Sequence, residues 1–150
     1  MPLEHRTGDL FAQPDLSALA HGCNCAGAMG AGIAVRFKSQ WPAMYAEYRR
    51  RCADGRFAPG EVFAWEEGGV TVFNLATERH WRTGATLEFI DRAAVNLVAA
   101  CEARGLAAVG MPRIGTGYGG LRWPDVEAVL QRASTDRAVR LVVVSLPPKR

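Results

Sequence analysis

The sequence predicts an α/β fold in which a mixed central sheet is covered by helices on both faces. Apolar runs typical of strands alternate with helical patterns along the chain, and this alternation indicates an α/β domain. The last run, at residues 139–145, contains the continuous apolar stretch LVVV, as expected for a strand covered on both faces. The chain has 150 residues, of which 49% are hydrophobic, which predicts one domain over residues 1–150.

The first half of the chain contains two predicted strands and two predicted helices. Residues 3–6 are a short strand signal, and residues 16–23 (LSALAHGC) have the apolar content of a buried strand. Residues 33–41 carry apolar side chains at helical spacing, and Pro42 is expected to end this helix. A second helical pattern covers residues 43–52.

The second half begins with a predicted hairpin, in which residues 61–65 and 70–75 are strands joined through a glycine-containing turn. The clearest helix covers residues 86–104, because its apolar residues fall on one face and a glycine follows as a C-terminal stop. A buried strand is predicted at residues 106–111. The last helix, at residues 123–133, has a proline in its first turn.

The composition argues against several classes of protein. A formal net charge of +3 suits an anionic small ligand, whereas a nucleic-acid surface usually needs a dense basic stripe. No apolar run approaches the roughly 18 residues of a membrane span, and residues 1–6 lack the apolar core of a signal peptide. Cys23 and Cys25 are too close together for a usual zinc knuckle. The expectation is a cytoplasmic protein with reduced cysteines and without metal, cofactor or membrane anchor.

Two glycine-rich loops are the main candidates for function. Residues 30–34 (GAGIA) and 115–120 (GTGYGG) each follow a predicted strand, and small residues there let backbone amides approach an anion closely. Neither loop has the spacing of a Rossmann fingerprint or a Walker A loop. One such loop alone is often only a turn, but two together suit the two sides of a pyrophosphate.

Several segments, taken in order, resemble the macrodomain family. They are residues 8–11 (GDLF), Asn24 with the loop at 30–34, residues 73–77 (FNLAT), and residues 111–123, which contain MPRIGTG and LRW. The resemblance extends from about residue 3 to 146, and it is closest to the branch that contains the terminal ADP-ribose protein glycohydrolase. It implies a three-layer α/β/α macrodomain that binds ADP-ribose.

The resemblance also implies binding roles for individual positions. Asp9 would accept a hydrogen bond from the adenine amino group beside the Leu10 amide, Asn24 would contact the distal ribose, and Leu146 would pack against adenine. The other implied ligand-binding residues are Gly30, Gly32, Ile33, Ala34, Thr77, Arg113, Ile114, Gly115, Thr116, Gly117 and Tyr118. By local sequence alone, Asp9 is better interpreted as a turn or capping residue, and Asn24 is equally interpreted as a residue that turns the chain at a strand end.

The catalytic pattern of the family is not present. The lysine and the aspartate of the glycohydrolase branch align with Glu78 and Gly119, and only two of the 18 basic residues are lysines, Lys38 and Lys149. We therefore expect any hydrolysis to use water without a catalytic lysine. The sequence does not identify the catalytic residues. Asn24 and Glu78 are candidates, and Glu78 is equally interpreted as a solvated loop carboxylate.

Three functions remain open from the sequence. The first is a hydrolase that releases ADP-ribose from acidic protein side chains or deacylates O-acetyl-ADP-ribose. The second is a non-catalytic ADP-ribose reader, and the third is an ADP-ribose 1″-phosphatase. The expected partner is ADP-ribose or an ADP-ribosylated protein, with nucleic acid only as an ADP-ribosylated substrate. His21 is expected to be a core histidine, and Trp81 and Arg82 are candidates to line the mouth of the site.

Overall fold

The computed structural model describes residues 3–147, so that Lys149 lies outside the described residues. Within this range the chain forms six strands and four helices. The strands are β1 (Leu3–Thr7), β2 (Ala18–Asn24), β3 (Val62–Glu67), β4 (Val70–Glu78), β5 (Ala108–Met111) and β6 (Arg140–Ser145). The helices are α1 (Ala34–Gln40), α2 (Pro42–Ala53), α3 (Leu87–Ala103) and α4 (Trp123–Ser134).

The strands form one sheet in the order β1-β6-β5-β2-β4-β3. All neighbouring pairs are parallel except β3 and β4, which are antiparallel. The carboxyl ends of β1, β6, β5, β2 and β4 therefore lie along one edge of the sheet. The loops that follow these five strands include both glycine-rich segments, so that the topology gathers the predicted binding loops at one edge.

Helices cover both faces of the sheet, which confirms the predicted three-layer architecture. Phe37 of α1 and Tyr48 of α2 are buried in one hydrophobic cluster, whereas Ile90 of α3 and Leu130 of α4 are buried in the other. Strand β6 lies between two parallel neighbours, and its residues 141–144 are buried. The expectation of a strand covered on both faces is thus also confirmed.

The local signals explain where the longest helix begins and ends. The hydroxyl of Thr86 accepts a hydrogen bond from the Phe89 amide at 3.2 Å, which caps the first turn of α3. Gly105 follows with φ +68°, the left-handed conformation that ends many helices. Predicted and observed bounds of this helix differ by one residue at each end. The 3-10 turns at Leu10–Ala12 and Gly117–Gly119 were not predicted.

His21 is a core histidine, as expected, and its ring is hydrogen-bonded to the side chain of Asn74. Its ring is fully buried and stacks on Phe37 with ring centroids 3.8 Å apart. The His21 Nε2 lies 2.6 Å from Oδ1 of Asn74, and the Asn74 amide donates to the Phe63 carbonyl at 3.1 Å. Burial lowers the pKa of His21 to about 4, so this ring is neutral at physiological pH.

Candidate functional site

The two glycine-rich loops meet above the carboxyl edge of the sheet. A Cβ atom on Gly32 would lie 3.7 Å from the ring of Tyr118, so the two loops approach each other through Gly32 and Tyr118. Gly32 has φ +60° and Gly117 has φ +61°, and the position of a Cβ on Gly117 faces open space. Tyr118 itself is 80% exposed. We refer to the strip of backbone along these two facing loops as the groove.

The amides of both loops are free to bind a ligand. In the described part of the chain, the backbone N–H groups of residues 30–33 and 115–118 donate no hydrogen bond within the protein. Further along each segment the amides are paired, since Val35 donates to Gly32 at 3.3 Å and Gly119 donates to Thr116 at 3.2 Å. Successive free amides in left-handed and turn conformations form concave anion sites. The groove is thus suited to a phosphate or diphosphate group.

The second glycine-rich loop is anchored by contacts with the core and with α3. Ile114 is 3% exposed, so its side chain is part of the core and only its backbone faces the groove. A Cβ atom on Gly115 would lie 2.4 Å from Cδ1 of Ile90, and the Gly115 carbonyl accepts from the Leu121 amide at 2.9 Å. These contacts seat the loop directly on α3. Thr116 donates to the Arg113 carbonyl at 2.7 Å, which leaves the Thr116 oxygen able to accept another bond.

Asp9 lies at one end of the edge, beside the ends of β1 and β6. The Gly8 amide donates to Ser145 at 2.8 Å, which brings the turn after β1 next to the end of β6. The Asp9 carboxylate accepts from the Phe11 amide and from Arg36, both at 2.9 Å through Oδ1. These bonds hold the pKa of Asp9 below its ordinary value. Its second oxygen has no partner among them, so a capping role and a ligand-binding role are compatible here.

Leu146 and Arg113 occupy the same end of the edge. Leu146 follows β6 and is 76% exposed, as required for an apolar contact with a ligand. The Arg113 guanidinium donates to Ser145 at 3.1 Å and lies over the ring of Trp123 at 5.2 Å. Leu10 is buried, which leaves only its backbone available to a ligand. The roles implied for these residues stay predictions.

Asn24 lies toward the other end of the edge and shapes the loop that follows β2. Its Oδ1 accepts from the amides of Ala26 and Ala28 at 3.0 and 3.2 Å, and its Nδ2 donates to the Ala28 carbonyl at 2.9 Å. The buried Tyr48 hydroxyl donates to the Asn24 carbonyl at 2.7 Å. Asn24 is 6% exposed. A large share of its hydrogen-bonding capacity therefore holds the loop, and one amide hydrogen remains for a ligand.

A β-bulge places Glu78 opposite Asn24. The parallel register of β2 and β4 shifts after Cys23, so that Asn24 pairs with Glu78 and Thr77 has no partner in β2. Thr77 is 3% exposed, and its hydroxyl lies 3.5 Å from the Cys23 carbonyl. Bulges are common next to active sites because they redirect side chains. Here the bulge turns Thr77 into the core, so Thr77 can offer only its backbone to a ligand.

Glu78 is not a solvated loop carboxylate, which was one of its two interpretations. It belongs to β4, and its Oε2 is buried without a hydrogen-bond partner within residues 3–147. Burial raises the pKa of this carboxyl above its ordinary value. Unpaired buried carboxylates cost folding free energy, and groups with shifted pKa values are concentrated at functional sites. Among the titratable groups at this end of the edge, Glu78 is therefore the strongest candidate for acid–base chemistry.

Two residues that the sequence did not single out complete the geometry. Arg36 of α1 pairs with Asp9 and lies over the Phe11 ring at 4.1 Å, while Tyr48 of α2 fixes the Asn24 loop. Both contacts join residues more than 20 positions apart, so no local pattern indicates them. Lys38 is in the last turn of α1 with its Nζ over the Tyr45 ring at 4.8 Å, directed toward α2.

No helix in the described range is long and apolar enough to cross a membrane. Residues 3–147 also contain no cluster of three or more His, Cys, Asp or Glu side chains arranged to hold a metal ion. The four cysteines are free thiols.

The fold and the two loops define a class of protein, an α/β domain with unpaired backbone amides at the carboxyl edge of a mixed sheet. The Macro domain family model matches residues 20–130, and the chain belongs to this family. The chain is 35% identical over 135 residues to the DNA ADP-ribosyl glycohydrolase of Mycobacterium tuberculosis, a match that covers 87% of this chain and 38% of the relative. The chain thus spans well under half the length of that curated relative.

Solved structures and a shorter relative agree with this assignment. The macrodomain of M. tuberculosis DarG superposes with a TM-score of 0.89 at 34% identity, covering 98% of each chain. Thermosipho africanus DarTG in complex with ADP-ribose gives a TM-score of 0.83 at 25% identity, covering 98% of this chain and 43% of that one. The human ADP-ribose glycohydrolase is 29% identical over 139 residues, which are 93% of this chain and 88% of that protein.

Proposed function

We propose that the chain binds ADP-ribose along the carboxyl edge of the sheet and hydrolyses the bond between the distal ribose and a macromolecule. The observation that carries the proposal is the pair of facing loops at residues 30–33 and 115–118, whose amides are unpaired in the described structure. A diphosphate has the charge and the oxygen acceptors that such amides bind. In ADP-ribose the diphosphate lies between two sugars, so the sugars would extend to either side of the loops along the edge of the sheet.

The order of the strands supports this direction of binding. Asp9 lies at the β1–β6 end of the edge, the two loops follow β2 and β5, and Glu78 ends β4. Five neighbouring strands span about 19 Å at the usual spacing of about 4.8 Å. The free oxygen of Asp9 accepts from the adenine amino group, and the distal ribose reaches Asn24 and Glu78. The relatives named as ADP-ribosyl glycohydrolases and the neighbour that contains ADP-ribose agree with this ligand.

The acceptor that carries ADP-ribose is proposed in two forms. The M. tuberculosis relative is named for DNA, so ADP-ribosylated DNA is the first substrate that we propose. Ester-linked ADP-ribose on acidic side chains, expected from the sequence, is the second. Both substrates present the same distal ribose to the same end of the groove.

In the proposed mechanism, water is the nucleophile and Glu78 is the general base. The loop amides hold the diphosphate, and Asn24 fixes the loop beside the distal ribose. As the water oxygen bonds to C1″, Glu78 takes a proton from it, and the bond from C1″ to the acceptor breaks with its electron pair going to the acceptor. A raised pKa suits this role because a base is most effective when its pKa is near the working pH.

The test has two measurements on the same preparation. Calorimetry with ADP-ribose should give a dissociation constant of roughly one to tens of micromolar, and AMP, which lacks the second phosphate and the distal ribose, should bind more weakly. Release of ADP-ribose is then measured from an ADP-ribosylated oligodeoxynucleotide and from a glutamate-linked peptide. Folded protein that gives no heat with ADP-ribose would reject the ligand. Binding without release from either substrate would make the domain a reader.

A further inference from the structure

The segment that follows β4 forms an exposed turn with an unusual composition. Residues 79–82 are Arg-His-Trp-Arg, and we refer to residues 79–83 as the arginine–aromatic turn. The His80 and Trp81 rings are stacked with centroids 3.7 Å apart, and Trp81 is 49% exposed. His80 covers one face of the indole, and about half of the Trp81 side chain is exposed.

The cationic side chains of this turn are not neutralised by carboxylates. Arg79 and Arg82 are exposed and make no ion pair within residues 3–147. Arg92 on the neighbouring helix differs in this respect, since it pairs with Glu88 at 3.1 Å. The Arg79 guanidinium instead lies over the Phe89 ring at 5.3 Å, a contact that leaves its positive charge available to an anion.

The turn is held in one conformation by its own hydrogen bonds. The His80 carbonyl accepts from the Thr83 hydroxyl at 3.0 Å and from the Thr83 amide at 3.2 Å. The Arg82 amide donates to Nδ1 of His80 at 3.1 Å. The stacked rings are therefore oriented before any partner binds, which lowers the entropy cost of binding.

The turn also borders both binding loops. The Arg79 carbonyl accepts from the Cys25 amide at 3.2 Å, next to Asn24, and the Ala85 amide donates to Gly119 at 3.0 Å. A Cβ atom on Gly84 would lie 2.9 Å from the Gly119 carbonyl oxygen. The turn is thus packed between the β2 loop and the second glycine-rich loop. It adjoins the end of the groove where the proposed function places the distal ribose and its acceptor.

From this arrangement we infer that the arginine–aromatic turn binds the single-stranded nucleic acid that carries the ADP-ribosyl group. Trp81 stacks on an unpaired base beside the modified nucleotide, and Arg79 and Arg82 contact backbone phosphates. Stacking on aromatic side chains combined with basic contacts to phosphates is the usual chemistry of single-strand binding. The inference rests on the proposed function, because it assigns the acceptor side of the same site.

The experiment measures two ligands separately for every variant. A fluorescein-labelled, unmodified single-stranded oligodeoxynucleotide reports on the turn by anisotropy, and free ADP-ribose reports on the groove by calorimetry. Trp81→Ala should weaken oligonucleotide binding by about fivefold or more, the effect expected for one lost base stack. Trp81→Phe should restore most of it. Neither change should alter the affinity for free ADP-ribose.

The roles of the two arginines are tested by the salt dependence of oligonucleotide binding. The double variant Arg79→Gln/Arg82→Gln should reduce the slope of log affinity against log salt by about 1.4, which corresponds to two phosphate contacts on a single strand. Arg132→Gln is the matched control, because Arg132 is exposed on α4 and makes no ion pair in the described range. An oligoribonucleotide of the same sequence shows whether the turn distinguishes DNA from RNA.

The outcomes separate this inference from the proposed function. If the wild-type protein fails to bind free ADP-ribose, the proposed function is rejected. If ADP-ribose binds but the affinity for the oligonucleotide is the same in Trp81→Ala and in the double variant as in the wild type, only the inference about the turn is wrong. The inference is also overturned if Trp81→Ala weakens the binding of free ADP-ribose to the same extent as that of the oligonucleotide. It is overturned as well if the variants weaken the binding of an acidic peptide but leave oligonucleotide binding unchanged.

Discussion

The centre of the groove and its distal end are built from different parts of the chain. The centre consists of backbone, because residues 30–33 and 115–118 present free amides with glycines where side chains would intrude. The distal end depends on side chains, with Asn24 bonded into its loop and Glu78 half-buried, its Oε2 without a hydrogen-bond partner in the described structure. This difference underlies the proposal that the centre of the groove supplies affinity and the distal end supplies the chemistry.

The largest effect on ADP-ribose binding is expected from side chains that fill the centre of the groove. Gly32→Glu and Gly117→Glu each place a carboxylate where a phosphate is proposed to bind, so ADP-ribose binding should fall below detection by calorimetry. Both glycines have left-handed φ values, and this conformation costs another residue about 1–2 kcal/mol. A control must therefore carry the same strain.

Gly68→Glu is the matched control for these variants. Gly68 has φ +60° and open space around its Cβ position, and it lies in the β3–β4 hairpin away from the loops. It should show the same small loss of thermal stability as Gly32→Glu but keep ADP-ribose binding. Full affinity in both groove variants would remove the loops from the binding site.

The distal end is tested by Glu78→Gln, which removes the base and keeps the size of the side chain. Release of ADP-ribose should fall by about 10²-fold or more, the usual contribution of a general base, whereas ADP-ribose affinity should change little. Glu66→Gln in the hairpin is the control for the same substitution. A Glu78→Gln variant with wild-type turnover would exclude Glu78 as the base.

The pH dependence sharpens the same test. Glu78 must be ionised to accept a proton, so the wild-type rate should be lost as pH falls through its raised pKa, at higher pH than for an exposed glutamate. The free energy of unfolding depends on pH in the opposite direction to the rate. A raised pKa favours the folded protein below the unfolded-state value, and this contribution is lost as pH rises through the folded-state value. Glu78→Gln should therefore gain thermal stability relative to the wild type as pH increases.

The sequence was sufficient for the fold because the fold depends on periodic patterns. Helix α3 was predicted to within a residue at each end from its apolar face, its cap and Gly105. The 3-10 turns were not predicted, because three residues are too few to show a periodic pattern of apolar side chains. Strand β4 was predicted to end at Leu75 but continues to Glu78, because the bulge at Thr77 depends on its neighbouring strand and leaves no local signal.

The candidate site was only partly predictable, for a related physical reason. Glycine spacing identified both loops, since left-handed backbone and close approach favour glycine at particular positions. The state of Glu78 was left open between a base and a solvated carboxylate, because burial and missing partners are properties of the packed structure. The contacts of Arg36 with Asp9 and of Tyr48 with Asn24 are equally invisible in a single sequence.

A smaller effect is expected at the adenine end, where a side chain again makes the contact. Asp9→Asn keeps an oxygen that can cap the Phe11 amide, but it presents an amino group to the adenine amino group. ADP-ribose binding should weaken about tenfold, as for the loss of one hydrogen bond to a charged group. The analogue with hypoxanthine, which has an oxygen at that position, should recover affinity in the variant. If both ligands bind as in the wild type, the base lies elsewhere.

No effect is expected from Lys38→Ala, and this result separates the water mechanism from one with a lysine nucleophile. A lysine would open the distal ribose as a Schiff base, which requires its amine to reach C1″. Lys38 is directed toward the Tyr45 ring from the last turn of α1, and Glu78, which cannot form an imine, takes the position of the lysine in the glycohydrolase branch. Turnover should therefore be unchanged, and borohydride added during turnover should leave the protein mass unaltered. An ADP-ribosyl adduct on Lys38 or Lys149 would contradict the mechanism and shift the chemistry of the distal end from Glu78 to that lysine.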